Sequence, residues 1–463
     1  MAQFYNYKVH AMNFVHYYKR MSVFCVNLIM LLGCILIINI TSAQSSVIIA
    51  NDKNADAGTT LTIPGKEYDR SAYHNLFWGK HYRKEWTTPV RVKIFYLDTA
   101  KGGLIPVQEA GSRQSMGLRL EDKEAKQYVL RSIDKDFGNG LPDIYHGTFI
   151  SHIAKDQASI GYPFAAITIT PMLDAAGIYH TNPEIVFVPS QKALGKYNKK
   201  YGSQLYLFEE RPDDNSEDAS YFGNAKKIIG SEKLYEHLYE DNDYSVDQKA
   251  FAKARLFDMV IGDWSRHADQ WRWAAIKDED KTIYKPIPRD RDQAYTRFDG
   301  VYSFIATNTV ARFLESFDNK INNVADFNKP GRNLDRQFTN QLTKQQWINI
   351  AAELQQALTD SVIEYSMHQL PPEMFAINGE KITANLKARR DHLQDYAKQY
   401  YKYLAKRVYV PGSDKKELFE INRMNPNETE ISVYKIKKNN EKELLFSRTF
   451  DRRESAEIFF IRL

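Results

Sequence analysis

The sequence is poor in cysteine. It has only two, Cys25 and Cys34, and both lie within the first 43 of its 463 residues. If these first 43 residues are a leader peptide that is cleaved off, the remaining chain can form no disulfide bond and no thiolate metal site. The hydrophobic core alone must then hold the fold, and a chain of this length with 13% aromatic residues can bury a core large enough to do so.

Long apolar runs are also scarce. The single one is "MSVFCVNLIMLLGCILIINI", which follows Lys8, Lys19 and Arg20 without any acidic residue and precedes "TSAQSS". This order is typical of a secretory signal peptide, here residues 1–43, cleaved after Ala43. The protein is then exported to the periplasm, attached to the outer membrane or secreted. The alternative is an uncleaved membrane anchor, because the run is just long enough to span a bilayer.

A one-sided excess of charge is missing as well. The whole chain has a formal net charge of +5, and the leader accounts for three basic residues and no acidic ones, so the remainder is almost neutral. A nucleic-acid surface needs a concentrated basic excess, so the composition excludes nucleic acid as a partner.

Hydrophobic periodicity divides the rest of the chain into regions. Residues 44–87 are a polar N-terminal extension without a clear pattern. Residues 88–212 mostly predict strands, with one helical interval from "GTFISHIAKD" to Gly177, and residues 213–410 mostly predict helices. The order predicts an α+β, bilobal protein-kinase-like fold, with a strand-rich N-lobe and a helical C-lobe.

Four long patterns predict the helices of the second half: "SEKLYEHLYE", "VDQKAFAKARLFDMVIG", "KQQWINIAAELQQALTDSVIEYSMHQL" and "ITANLKARRDHLQDYAKQYYKYLAKRVY". The tail, residues 411–463, returns to the alternation of strands and stops inside one of them. It is therefore expected to be a short β module that is incomplete or is completed by a partner module.

The stretch "GDWSRHADQW" at residues 262–271 suggests a catalytic loop. In protein kinases such a loop holds a general-base Asp, an Asn for magnesium five residues later, and a further metal-binding Asp after a short hairpin. The same spacing here falls on Ser265, Gln270 and Asp290. Between the last two, "WRWAAIKDEDKTIYKPIP" predicts a hairpin about the turn "KDEDK".

Two resemblances follow from these motifs. The Arg266-His267 pair and "RDRDQAY" resemble the Asp-Arg-His loop and the metal segment of phosphatidylinositol kinases, HipA-type kinases and secretory-pathway kinases. That resemblance implies that Asp290 is the metal-binding Asp, that Asp292 replaces the glycine after it, and that His267 orients the loop backbone by hydrogen bonds. Asp263 is the acid that precedes this loop, and it either belongs to the catalytic group or caps the turn.

A closer resemblance covers most of the exported chain. The segments "GGLIPVQEAGSRQS", "LRSIDKD", "DAAGIYHTNP", "FEERP", "ARLFDMVIGDW" and "PRDRDQAY" resemble the uncharacterised kinase-like region of large exported bacterial metallophosphoesterases. In that group the loop usually reads Gly-Asp-Trp-Asp-Arg-His, so Ser265 is a departure. No phosphoesterase metal motif occurs in this sequence, and phosphatase activity is therefore not expected.

Six further residues are candidates for binding a cofactor. Gly111 and Ser112 lie in "AGSRQS", which is either a loop that covers phosphates or an ordinary hairpin. Arg131 and Lys135 are expected either to hold phosphates and pair with Asp156 or to be solvated charges at the end of a strand. Glu209 lies either at a hinge that meets an adenine or in a salt-bridged linker.

The candidate metal ligands are Gln270, Asp290 and Asp292. Two carboxylates after a strand suit the oxygen coordination that Mg²⁺ prefers. The alternative is an ion-pair network with the flanking Arg289 and Arg291.

Ser265 decides the functional expectation. A serine cannot act as a carboxylate base, and loss of a general base typically costs about 10²- to 10⁴-fold in rate. The sequence favours a degenerate kinase-like domain that binds a nucleotide, another small phosphorylated molecule or a protein of the cell envelope. The alternative is an active phosphotransferase of unknown substrate that uses Mg and ATP.

Overall fold

The computed structural model of the protein describes residues 47–48, 58–111, 114–309 and 311–462. The predicted signal peptide lies outside these residues. Among them, no helix is both long enough and apolar enough to cross a membrane. The strands β1 to β17 are, in chain order, Val47–Ile48, Thr59–Ile63, Val90–Ile94, Ile105–Ala110, Gly117–Glu121, Gln127–Ser132, Glu184–Val188, Gln204–Glu210, Ile228–Gly230, Tyr244–Val246, Trp271–Asp278, Lys281–Pro288, Arg407–Gly412, Glu417–Arg423, Glu428–Ile436, Lys442–Asp451 and Glu457–Arg462.

The helices alternate with strands up to β12 and then follow one another until β13. In chain order, α1 to α14 are Ala72–Trp78, Arg83–Thr87, Phe149–Asp156, Ala165–Ala176, Asn198–Tyr201, Ser231–Glu240, Gln248–Ile261, Val301–Thr309, Val324–Phe327, Arg332–Phe338, Lys344–Ala357, Asp360–Met367, Pro372–Asp391 and Leu393–Ala405. Single 3-10 turns at Ala268–Gln270 and Arg291–Gln293 follow α7 and β12.

The first half is built on one eight-stranded sheet with the order β1-β2-β3-β7-β8-β6-β5-β4. Only the β3–β7 pair is parallel. In β5, Leu118 and Leu120 are buried in the core on one face of the sheet. Because side chains alternate along a strand, Arg119 between them points to the other face. Arg131 of β6 lies on that same face, since its neighbour Leu130 belongs to the same core as the two leucines.

The second half packs around α7, the longest continuous stretch of buried residues in the helical part. The side chain of Asp247 caps its start by accepting a hydrogen bond from the amide of Ala250. Gly262 ends it in the left-handed conformation, with φ of 73°. A Cβ at this position would lie 2.7 Å from the ring of Phe317, so only glycine lets the chain turn here into the loop at residues 263–270.

Two of the predicted helices are each divided in two. The pattern at residues 344–370 forms α11 and α12, because the hydroxyl of Thr359 accepts a hydrogen bond from the amide of Val362 and starts a new helix. The pattern at residues 382–409 predicts one continuous helix. This prediction is wrong in two respects, because the segment contains a break and its helical part ends earlier. It is divided at His392 between α13 and α14, and its last residues enter β13, which pairs in parallel with β17.

The expected hairpin and terminal strands are confirmed. β11 pairs with β12 about the turn, with Asp278 opposite Lys281. β14, β15 and β16 form an antiparallel sheet. The described chain is a mixed α+β structure in which a strand-rich half and a helical half face each other across a cleft. This confirms the α+β, bilobal class predicted from the sequence.

Candidate ligand-binding cleft

A cavity of about 1050 Å³ separates the two halves. Strands β5, β6 and β8 line it on one side, and the loop after α7 and the segment after β12 line it on the other. The cavity brings together nine of the residues singled out from the sequence: Gly111, Arg131, Lys135, Glu209, Ser265, His267, Gln270, Asp290 and Asp292.

Asp263 lies beneath the cleft and does not line it. Its side chain is completely buried. One carboxylate oxygen accepts a 3.1 Å hydrogen bond from the amide of Ser265, and the other accepts a 2.6 Å bond from the guanidinium of Arg266. Burial raises the pKa of Asp263, although Arg266 opposes this. Asp263 therefore caps the turn, and its assignment to the catalytic group was wrong.

Arg266, and not His267, holds the loop in place. Its two terminal nitrogens each donate a 2.9 Å hydrogen bond to the carbonyl of Arg289, and one of them also reaches the carbonyl of Asp290 at 3.2 Å. The side chain of His267 is 56% exposed and lies 3.9 Å from Asp269. The expectation that His267 orients the backbone is corrected, because a guanidinium has more donors and is fully buried here.

Ser265 and Gln270 are in contact at the floor of the cleft. The amide nitrogen of Gln270 lies 3.4 Å from the hydroxyl of Ser265. Gln270 is only 7% exposed, and its Oε1 atom is buried and has no hydrogen-bond partner in the described ranges of the chain. The five-residue spacing seen in the sequence thus places the two side chains beside each other.

Asp290 stands in an unusual backbone conformation opposite Arg131. Its φ of 53° and ψ of 53° lie in the left-handed region, which non-glycine residues seldom adopt and which often marks functional positions. Its carboxylate forms an ion pair with Arg131 of β6. Arg131 also binds Glu209 at 2.9 Å, so it connects the sheet with the segment after β12.

Lys135 and Asp292 form a second ion pair across the cleft. Burial disfavours the charged form of Asp292, yet Lys135 and Arg131 together keep its pKa below the ordinary value. Asp292 is therefore ionised at neutral pH. Within the part of the chain that the structure describes, its Oδ1 atom is buried without a hydrogen-bond partner, as is Oε1 of Gln270.

Glu209 is held inside the sheet face. Besides Arg131, the hydroxyl of Thr181 donates a 2.7 Å hydrogen bond to it, and the residue is 5% exposed. Of the two interpretations of Glu209, a hinge that meets an adenine or a salt-bridged linker, its side-chain contacts agree with the salt-bridged linker.

The predicted pairing of Asp156 with Arg131 and Lys135 is wrong. Asp156, on α3, is 4% exposed and instead binds Arg83 at 2.5 and 2.9 Å, Arg70 at 3.0 Å and His74 at 3.0 Å. Burial opposes ionisation of Asp156, but hydrogen bonds from His74 and Arg83 hold its pKa well below the usual range. Asp156 therefore binds the N-terminal extension to the sheet-rich half. Residues 44–87, which form this extension, are the region for which the sequence shows no clear pattern.

Gly111 begins the turn between β4 and β5. Its φ is 106°, and a Cβ there would lie 2.3 Å from the carbonyl of Ser115, so the turn requires glycine. The turn is a hairpin that also lines the cleft through Gly111, Gln114 and Ser115. Ser112 lies outside the described residues.

The residues predicted as metal ligands suit a divalent cation in part. In the described part of the chain, no three His, Cys, Asp or Glu side chains come together as a metal-binding group. In addition, Arg131 forms an ion pair with Asp290, and Lys135 forms one with Asp292. A buried acceptor without a partner, however, costs about 1–3 kcal/mol. The free oxygens of Gln270 and Asp292 are the kind of ligand that Mg²⁺ takes, so these two side chains are the ones that would hold a divalent cation.

Sequence reasoning missed three arginines that also line the cleft, and it named a fourth, Arg289, only as an ion-pair partner of the predicted metal ligands. The three are Arg119, Arg211 and Arg272. The alternation of β5 places Arg119 opposite two core leucines and was a signal that could have found it. The other two follow or lie within strands whose approach to the cleft depends on the fold.

No protein-family model and no curated protein matches the chain. Three solved structures are similar to it at 12% identity. The proinflammatory kinase CtkA of Helicobacter pylori is covered to 94%, against 64% of this chain, with a TM-score of 0.33. HipA of Shewanella oneidensis MR-1, in complex with HipB and operator DNA, is covered to 70%, against 66% of this chain, with a TM-score of 0.27. Amicoumacin kinase hAmiN, in complex with AMP-PNP, Ca²⁺ and Ami, is covered to 90%, against 66% of this chain, with a TM-score of 0.17.

Proposed function

We propose that this chain is an exported kinase-like domain that binds a phosphorylated ligand, with a nucleotide as the first candidate, and that it has lost the carboxylate base of an active kinase. The cleft supplies the charges that such a ligand needs. Arg131 and Lys135 approach from the sheet, where their guanidinium and ammonium groups suit phosphate oxygens. Asp290, Asp292 and Gln270 approach from the helical half and suit the metal ion that accompanies a nucleotide.

One observation carries this proposal. Two buried oxygens that have no partner among the described residues, Oε1 of Gln270 and Oδ1 of Asp292, belong to residues that line the same cavity as Lys135. Native proteins rarely leave buried polar atoms unsatisfied, and such atoms often mark a position for an ion or water. A divalent cation would bind both oxygens and neutralise phosphate charge when present.

The degenerate character of the site is inferred from Ser265. Its hydroxyl does not accept a proton as a carboxylate does near neutral pH. Asp263 cannot replace it, because both of its oxygens are bonded and the side chain is completely buried. Asp269 lines the cleft, but its side chain is 96% exposed and lies 3.9 Å from His267, so the loop does not fix its carboxylate in the position of a general base.

Calorimetric titration with ATP, with and without Mg²⁺, tests the proposal. We expect Mg-ATP to bind the wild type and Asp290→Asn to weaken binding by about tenfold or more, as expected for loss of a charged contact. The matched control is Asp360→Asn, which removes an ion-paired carboxylate that is 60% exposed and does not line the cleft. No heat of binding at millimolar Mg-ATP would overturn the nucleotide proposal and leave a protein of the cell envelope as the candidate partner.

A second candidate is an active, Mg-ATP-dependent phosphotransferase. The contact between Ser265 and Gln270 favours it, because the spacing of the catalytic frame is kept, although these two residues stand where a kinase has Asp and Asn. Phosphoryl transfer depends mainly on positioning and charge neutralisation. In this case Ser265→Asp should raise transfer of the γ-phosphoryl group by about 10²-fold or more. Binding of ATP without any transfer, even in Ser265→Asp, would contradict this candidate.

The exported location is supported by the leader alone. The basic start, the apolar run and the small residues before Gln44 are its basis. Outside the cytoplasm ATP is not readily supplied, which favours binding over turnover. The resemblance to the kinase-like region of exported metallophosphoesterases also supports a role at the cell envelope.

A further inference from the structure

Four arginines from four different segments meet in the cleft. Arg119 lies on β5, Arg211 directly follows β8, Arg272 lies on β11 and Arg289 directly follows β12. They come from both halves of the protein, so only the folded chain brings them together. Each is neither fully buried nor fully exposed, and we call this group the arginine cluster.

Strand alternation directs Arg119 and Arg272 into the cleft. Arg272 lies between Trp271 and Trp273, both completely buried, and points away from their core. Arg289 follows Pro288, which pairs with Trp271, and its amide donates a 2.9 Å hydrogen bond to the carbonyl of Gln270. The cluster therefore borders the loop that carries Ser265 and Gln270.

Little negative charge offsets the cluster. Neither Arg119 nor Arg272 has a carboxylate within 4 Å among the described residues, and Arg289 has only Asp290, at 3.8 Å. Arg211 binds the side-chain oxygen of Gln127 at 2.8 Å and has Asp213 at 3.5 Å.

All four guanidinium groups line the same cavity, and none of the four residues is fully exposed to solvent. Partly buried cations that repel one another are costly unless an anion joins them.

We propose that the arginine cluster is a second anion-binding subsite and that the ligand of this cleft is a small polyanion with phosphate groups at both ends. This inference rests on the proposed function, in which Arg131, Lys135 and Asp290 hold one phosphorylated end. Forked guanidinium groups bind phosphate oxygens in pairs, and four of them from separate segments suit a group with several oxygens. A neutral base at this end would leave the charges without a counterion.

Inositol hexakisphosphate is a suitable probe, since it carries phosphates around its whole ring and has no base. In calorimetric titrations without metal we expect it to bind the wild type. Arg119→Gln and Arg272→Gln should each weaken it by about tenfold, the loss expected for a charged hydrogen bond. Arg423→Gln is the matched control, because Arg423 is exposed on β14 and binds Thr429 and the carbonyl of Pro426; it should leave the affinity unchanged.

Stability separates a binding role from a structural one. Without ligand, Arg119→Gln and Arg272→Gln should keep or raise the Tm, because each removes a repelling charge. A Tm that falls by several degrees in both variants would show that the arginines hold the fold together, and would overturn the inference.

The ligand comparison separates this inference from the proposed function. Suppose that Mg-ATP binds in a way that depends on Asp290, but that inositol hexakisphosphate does not bind, or binds Arg119→Gln and Arg272→Gln with unchanged affinity. The subsite inference is then wrong, while the proposed function stands. If inositol hexakisphosphate binds through Arg119 and Arg272 while Mg-ATP does not bind, the subsite stands and the nucleotide proposal fails. If both substitutions weaken ATP as much as inositol hexakisphosphate, the arginines contact the base, and the second-phosphate inference is overturned.

Discussion

The guanidinium of Arg266 donates two 2.9 Å hydrogen bonds to the carbonyl of Arg289. These bonds join the loop after α7 to the segment after β12, which are separated in sequence by the β11–β12 hairpin. The same guanidinium binds Asp263 beneath the loop. One buried side chain thus places Ser265, Gln270 and Asp290 at a common floor.

Replacement of Arg266 should therefore destabilise the protein strongly. Arg266→Met leaves the carboxylate of Asp263 buried without its cation, and breaking a buried pair in this way costs about 3–5 kcal/mol. Asp263→Asn should cost less, because Arg266 keeps its carbonyl acceptors. Urea denaturation of both variants measures the difference, and equal losses would contradict the central role given to Arg266.

Asp156 is expected to matter for stability and not for the ligand. Asp156→Ala leaves Arg83, which is 5% exposed, buried without its partner, with a cost of about 3–5 kcal/mol. Limited proteolysis should then cut the extension at residues 58–87 more readily than in the wild type. Ligand affinity, measured on the folded fraction at low temperature, should stay within about twofold. A large loss of ligand affinity would show that Asp156 is part of the binding site after all.

Asp134 should give the stability a distinct dependence on pH. Burial raises the pKa of Asp134 from 3.8 to about 6, even though a hydrogen bond from Tyr68 opposes the shift. Between these values the folded chain binds a proton at Asp134 that the unfolded chain has released. The contribution of Asp134 to the free energy of unfolding therefore falls as the pH rises from about 4 to about 6.

The test compares wild type with Asp134→Asn in urea titrations from pH 4 to pH 7. The wild type should lose about 2–3 kcal/mol relative to the variant over this range, at 1.4 kcal/mol per pKa unit. His81, whose pKa burial lowers to about 4, acts in the opposite direction, but it is present in both proteins and cancels. Asp278→Asn, in the exposed hairpin turn, is the control and should follow the wild type. A difference between wild type and Asp134→Asn that is independent of pH would contradict the raised pKa.

The leader is tested by fractionation and amino-terminal sequencing of the protein made from its full-length gene. Cleavage after Ala43 should leave Gln44 as the first residue of protein found outside the cytoplasm. An intact leader in the membrane fraction would support the anchor instead. Full-length protein in the cytosol would contradict both forms of export.

The sequence by itself determined the features that depend on neighbours along the chain. The strand-rich pattern of residues 88–212 covers β6 and β8, the pattern "VDQKAFAKARLFDMVIG" located α7, and the turn "KDEDK" marked the hairpin. Spacing also selected Ser265, Gln270 and Asp290 as residues of one cleft. These signals are readable because strand and helix periods and glycine conformations are local properties.

Only the tertiary structure decided which charges meet. Asp156 binds Arg70, His74 and Arg83 of the extension, not Arg131 or Lys135, and Arg266 takes the orienting role expected of His267. The arginine cluster joins residues that are up to 170 positions apart, from Arg119 to Arg289. A charge in the sequence has no preferred partner until packing fixes its burial and distance from every other charge, since the interaction energy depends on both.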